Sequence, residues 1–84
     1  MDNRVALIGI IVEDKEAAAP LNDILHAYAD YVIGRMGVPY AKRNISVMSI
    51  AVDAPVDVIN SITGKLGMLK GVTAKSLMAK MAEA

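Results

Sequence analysis

Two stretches, Arg4–Val12 and Ile45–Val52, are apolar on both of their alternating faces, and this pattern limits the fold more than any other feature of the chain. In the first, Val5, Leu7 and Ile11 fall on one side, and Ala6, Ile8, Ile10 and Val12 on the other. In the second, Ile45, Val47 and Ala51 oppose Met48, Ile50 and Val52. Successive side chains of a strand point to opposite sides of its sheet. Strands of this kind therefore belong at the centre of a sheet, with something apolar against each side.

The segments around them supply two helices and two further strands. Asp14 reads as an N-cap with Glu16 in the first turn, and Leu21, Leu25, Tyr28 and Val32 recur at helical spacing beside Ile24. This predicts a helix over Lys15–Ala29. Pro20 removes a backbone donor near its start, so the helix begins late or with a kinked first turn. Tyr31–Met36 reads as a second strand, extended irregularly through Gly37-Val38-Pro39, and Ala41–Asn44 is the polar turn of a hairpin into the third. Pro55 suits the first position of a second helix, with Asp57 in its first turn and Gly67 as its stop. Val58, Ile59, Ile62 and Leu66 form the buried stripe of that helix. Gly71 opens a last strand, Val72 to about Met81, whose Lys75 and Lys80 suit a sheet edge.

Strand-helix-strand-strand-helix-strand in 84 residues predicts one α+β domain over residues 1–84. The simplest form is a ferredoxin-like βαββαβ sandwich, a four-stranded antiparallel sheet with both helices on one face. The other face is then bare, and it is made of Ile, Val, Met and Ala. A lone chain rarely shows water so wide an apolar patch. A homo-oligomer, dimer or tetramer, is expected.

Composition excludes several classes of function. Nine Lys and Arg cancel nine Asp and Glu, which leaves no basic excess for a phosphate backbone, so direct nucleic-acid binding is not expected. The absence of Cys removes disulfides, thiolate nucleophiles and Cys-based metal centres. The longest apolar run, Val5–Val12, has eight residues, whereas a helical membrane span needs about 20. No signal-peptide pattern opens the chain, and a cytoplasmic protein is expected. Apolar residues make up 55% with neither Phe nor Trp, so the core is expected to be built from Ala, Val, Ile, Leu and Met.

The chemical inventory is sparse. His26 is the only histidine, and it lies off the apolar stripe of its helix. One imidazole does not hold a transition metal, so a metal sensor would have to combine His26 with carboxylates such as Asp30 across a subunit interface. Ser46, Ser49, Ser61 and Ser76 have no His-Asp partner at any motif spacing, and an enzyme is not expected. Gly64–Gly71 departs from a phosphate loop because it follows a helix and precedes a strand. Met36, Met48, Met68, Met78 and Met81 read as adaptable core and interface filler.

The second strand is the most peculiar segment. Gly34, Gly37 and Pro39 weaken it, which signals a bulge or a close backbone approach. Arg35 adds a forked donor and Tyr40 a flat wall with one hydroxyl. With His26, whose ring offers a donor or an acceptor, they are the candidate ligand-binding residues, forming a pocket between subunits for a small anionic or amphipathic ligand. The plain alternative is an irregular edge strand with Arg35 in solvent.

Ile8–Asp14, Leu21–His26, Ile33–Tyr40, Asp53-Ala54-Pro55 and Gly64–Leu69 together resemble the family of small proteins assigned as regulators of the iron-only hydrogenase system. The Gly-Arg-Met-Gly-x-Pro-Tyr stretch, Gly34–Tyr40, is the most specific part. That family is similar in turn to the ACT-like C-terminal domain of the nickel-responsive repressors, which implies an oligomeric ferredoxin-like regulator. The repressor comparison implies a nickel site of one helix histidine from one subunit, with two histidines and a cysteine from the second strand and hairpin of another. Here His26 stands at the helix position, Gly37 and Pro39 at the strand histidines, and Ile45 at or near the cysteine. One ligand of four is kept, so that nickel site is not expected. No counterpart of the repressors' N-terminal ribbon-helix-helix arm is expected, and with it no direct operator binding. The expected function is an oligomeric regulatory or ligand-binding module, a transcriptional regulator without its own DNA-binding domain. The alternatives are a metal sensor built on His26 and a small-molecule enzyme on a dimeric ferredoxin-like scaffold. Neither the ligand nor a cofactor is named by the residues.

Overall fold

The computed structural model describes residues 3–80. Its elements are β1 (Asn3–Val12), α1 (Ala18–Ala27), β2 (Val32–Tyr40), β3 (Ile45–Pro55), α2 (Val56–Gly67) and β4 (Val72–Met78). Single 3-10 turns at Lys15–Ala17, Ala29–Tyr31 and Ala41–Arg43 join some of them. The strands form one antiparallel sheet in the order β2-β3-β1-β4. This is the α+β, ferredoxin-like arrangement expected from the element order, with the two doubly apolar strands at its centre.

Register decides which apolar face is covered. Ile8 pairs with Ile50 and Ile10 with Met48, while Leu7 stands between Ala51 and Leu77. Ala6, Ile8, Ile10 and Val12 of β1 join Ile50, Val52 and Ala54 of β3 in the core. Leu21 and Leu25 of α1 and Ile59, Ile62 and Leu66 of α2 close it from above. The intervening residues of β1 stay in the open: Val5, Leu7 and Ile11 are 41–50% exposed. The expectation of something apolar against both sides is thus met on one side only within the chain.

Local chemistry explains the ends of the elements. Asp14 Oδ1 accepts the Glu16 N–H at 2.9 Å and caps the first 3-10 turn. α1 proper starts only at Ala18, because Pro20 is tolerated in a first turn, where its missing N–H has no partner to lose. The helix expected over Lys15–Ala29 is therefore a 3-10 turn, α1 and the opening of a second 3-10 turn. β2 pairs regularly on through Pro39 to Tyr40, where the extension beyond Met36 was expected to be irregular, because an edge strand can spare one amide donor. A register shift between Val32 and Gly34 supplies the bulge that the glycines signalled. The close approach is absent: a Cβ at Gly34 would meet nothing within 4 Å, and at Gly37 only Met48 Cγ at 3.7 Å.

The methionines correct a second expectation. None of the described ones is in the buried core: Met48 and Met78 pack against it in part, and Met36 and Met68 are exposed. Val, Ile, Leu and Ala fill the interior without them. β4 stops at Met78, and Met81 lies outside the described residues. Among the described residues no helix is long and apolar enough to cross a membrane.

One glycine is required by its surroundings. Gly71 has φ +75° and accepts the Glu13 N–H at 2.7 Å, and a Cβ built on it would fall 2.5 Å from Asp14 Cβ. Gly71→Ala is expected to cost about 2 kcal/mol or more in denaturant unfolding, from the left-handed backbone plus the clash. Gly64→Ala, inside α2 with nothing within 4 Å, should stabilise by roughly 0.5–1 kcal/mol. Equal effects of the two would show that crowding at Gly71 is not what selects glycine.

Candidate functional site

The helix layer leaves β2 uncovered. After the half-buried Val32, every residue of β2 is exposed, so a groove runs between α1 and this edge strand. Leu21 and Leu25 turn into the core. Asn22 and His26, four residues apart on α1, and Ala29 at the start of the following 3-10 turn form the stripe that faces the groove.

Arg35 enters the groove from the strand. It pairs across from Ile50, a core residue, so its side chain leaves the sheet on the helix side. Its Nη2 donates to Asn22 Oδ1 at 3.2 Å. That bond spans helix and strand and fixes a long, flexible side chain in one orientation, while a guanidinium has four further N–H donors to offer. The cleft around it has a volume of 540 Å³ and is lined by Asn22, Asp23, His26 and Arg35 over a floor of Leu25, Val32 and Ile50, with Ala29 at one end. A smaller hollow of 210 Å³ continues along the groove past Arg35, toward Ser46 and Met48.

Two of the three candidate residues are therefore brought together. His26 and Arg35 line one cleft, from different elements of a single chain, without needing a second subunit. Tyr40 does not join them. It is five residues from Arg35, so strand alternation sets it toward the other side, and it borders a separate hollow of 340 Å³ with Pro39, Asn44 and Ile45. Asn22 and Asp23 were not singled out from the sequence. Their signal was there: Asn22 precedes His26 by one helical repeat, which sets both on one face.

Metal-binding residue types are scattered within the single chain. Among the described residues no group of three or more His, Cys, Asp or Glu gathers that could hold an ion. Asp30 does not line the cleft of His26. Nor does that lining hold a Ser, Thr or Cys that an imidazole could activate.

The opposite side of the sheet is different in kind. Cross-strand pairing sets Met36 and Val38 of β2, Val47 and Ala51 of β3, Val5, Leu7 and Ile11 of β1, and Leu77 of β4 on one surface. Its large members are 41–71% exposed. Among the described strand residues only Asp53 and Lys75 bring charge to it, the first toward one end of β3 and the second on the β4 edge.

Comparison with known proteins gives the following. Residues 4–76 match the family model described as TM1266-like, iron-only hydrogenase system regulator, a description that carries the regulatory role as provisional. The solved structure of uncharacterized protein TM1266 from Thermotoga maritima superposes with a TM-score of 0.90 at 26% identity, over 94% of this chain and 100% of that one. No curated protein matches the chain.

Proposed function

Because the chain belongs to the TM1266-like family of iron-only hydrogenase system regulators, we propose that it is a non-catalytic regulatory module that works as a homo-oligomer and reads a small ligand at the His26–Arg35 cleft. The observation that carries the assembly is the uncovered sheet face. Four strands about 4.8 Å apart and about six residues long project roughly 400 Å² in plan, before side-chain relief is added. This reaches the size of the largest apolar patch of an ordinary monomer. Lone apolar side chains on a surface are common, but a whole sheet face is not.

A second copy is the natural cover. Two such sheets pack face to face about 10 Å apart, and a two-fold axis brings the same patch against itself. The single acid and single base on the face, Asp53 and Lys75, leave it close to neutral, so self-association meets no net repulsion.

The same architecture supports binding rather than catalysis at the cleft. His26 has no hydroxyl or thiol beside it to activate, whereas Arg35 is held ready as a donor by Asn22. With charges balanced over the chain, a regulator of this kind would act through a protein partner or a ligand rather than through the phosphate backbone of DNA.

Native mass spectrometry of freshly purified protein at micromolar concentration tests the proposal. A dimer or tetramer is expected. A monodisperse monomer would overturn the assembly, and with it the reason for the bare face.

A further inference from the structure

We infer that the groove between α1 and β2 binds a small monocarboxylate with a short apolar tail, gripped by Arg35. The inference rests on the binding role proposed for the His26–Arg35 cleft and adds the chemical class of the ligand.

Four features of the cleft select that class. The first is the fork of Arg35. A guanidinium offers parallel N–H donors that match the two oxygens of a carboxylate, and the bond from Nη2 to Asn22 Oδ1 removes part of the ordering cost before the ligand arrives. The second is His26, whose ring adds a further N–H donor to the lining beside the Asn22 amide. The third is Asp23. This carboxylate lines the same cleft and opposes the approach of a second negative charge, so a dianion such as phosphate or a dicarboxylate is disfavoured where a monoanion is tolerated.

The fourth is the floor. Leu25 and Ile50 are buried and Val32 half-buried, and together with Ala29 they give the cleft an apolar base. A bare inorganic anion would leave the open part of that base, Val32 and Ala29, wet and gain nothing from it. An alkyl tail covers it and gains roughly fourfold in affinity for each methylene removed from water. The cleft volume of 540 Å³ lies within the range of about 300–1,000 Å³ usual for small-ligand sites.

The probes are a series of saturated monocarboxylates from acetate to hexanoate, with 4-methylpentanoate, against inorganic phosphate, succinate and 1-hexanol. Binding is read from amide and methyl NMR shifts of the full chain. Saturable shifts at Arg35, His26, Val32 and Ile50 are expected, tightening with tail length and weak or absent for phosphate, succinate and the alcohol. Arg35→Ala should weaken the best acid at least tenfold, while Arg35→Lys, which keeps the charge but loses the fork, retains part of the affinity. Phosphate binding as well as hexanoate, or hexanoate binding Arg35→Ala as well as wild type, would overturn the assignment. So would the absence of saturable shifts with every acid. The oligomeric state measured on the same samples separates the two proposals: an intact oligomer that ignores every acid defeats only the ligand class, whereas a monomer defeats the assembly.

Discussion

Val47→Glu is expected to yield a folded monomer. Val47 stands 45% exposed on the uncovered sheet face, opposite Ile11 and Val38. In a lone chain the new carboxylate is solvated, and the fold loses only strand preference, within about 1 kcal/mol. Between two copies it is buried without a partner, once from each side, at a cost of several kcal/mol each. Met48→Glu, one residue on, is expected to do the reverse. Met48 packs against the core, opposite Ile10, so the charge there weakens the fold itself by about 2 kcal/mol or more. Sedimentation and denaturant unfolding of both variants check the contrast. Val47→Glu sedimenting as the wild-type oligomer would take this face out of the interface.

The largest loss of stability is expected from Ile8→Ala. Ile8 is fully buried on a central strand, paired across from Ile50, which is itself fully buried. Close packing around both leaves the neighbours little freedom to collapse, so removing three carbons costs about 2–5 kcal/mol. An 84-residue chain has a margin of only about 4–13 kcal/mol at the usual 0.05–0.15 kcal/mol per residue. The variant therefore forfeits a large part of its stability. Leu7→Ala, the next residue along on the exposed side, should cost well under half as much within a single chain. If protein concentration is varied during unfolding, Leu7→Ala should lose part of the concentration dependence that an oligomer shows, and Ile8→Ala should keep it. Equal costs from the two variants at high dilution would contradict the division of β1 into a sealed side and an open one.

The architecture was readable because its strongest signals are local. β1 and β3 carry apolar residues on both faces, Asp14 and Pro55 mark helix starts, and Gly67 closes α2, so the order of elements follows from short stretches alone. The faces were not readable. Whether Val47 or Met48 looks into the core depends on the pairing of β3 with β1, and strands so far apart in sequence set that register only in three dimensions. The extension of β2 beyond Met36 read as irregular because Pro39 is a strand breaker everywhere except at an edge, and edge position is a property of the sheet.

The site divides in the same way. His26 and Arg35 stand out as rare chemistry in an apolar chain, and the fold unites them. Tyr40 was grouped with Arg35 by nearness along the chain, although an odd spacing on one strand sends side chains to opposite sides. The bulge lies at Val32/Gly34, before both residues, so it does not restore their alignment. Asn22 offered only its helical spacing from His26, because a helical asparagine is ordinary until a guanidinium is known to stand across from it.

The placement of β1 between β3 and β4 also governs how the chain can reach this structure. Its earliest strand has no neighbour until residues 45–55 arrive on one side and residues 72–78 on the other, whereas the β2–β3 hairpin closes over a short loop. Pairings of such long separation form slowly, because the entropy of closing the large loops is lost before their contacts exist. During synthesis the most apolar segment of the protein therefore waits unpaired until β3 emerges, and stays open along its other edge until the last strand leaves the ribosome. Stopped-flow refolding should show this directly: substitutions in β1 and β4 slow folding, while those in the exposed half of β2 act mainly on unfolding. A cell that makes the protein has to shelter that segment for as long as the chain is incomplete.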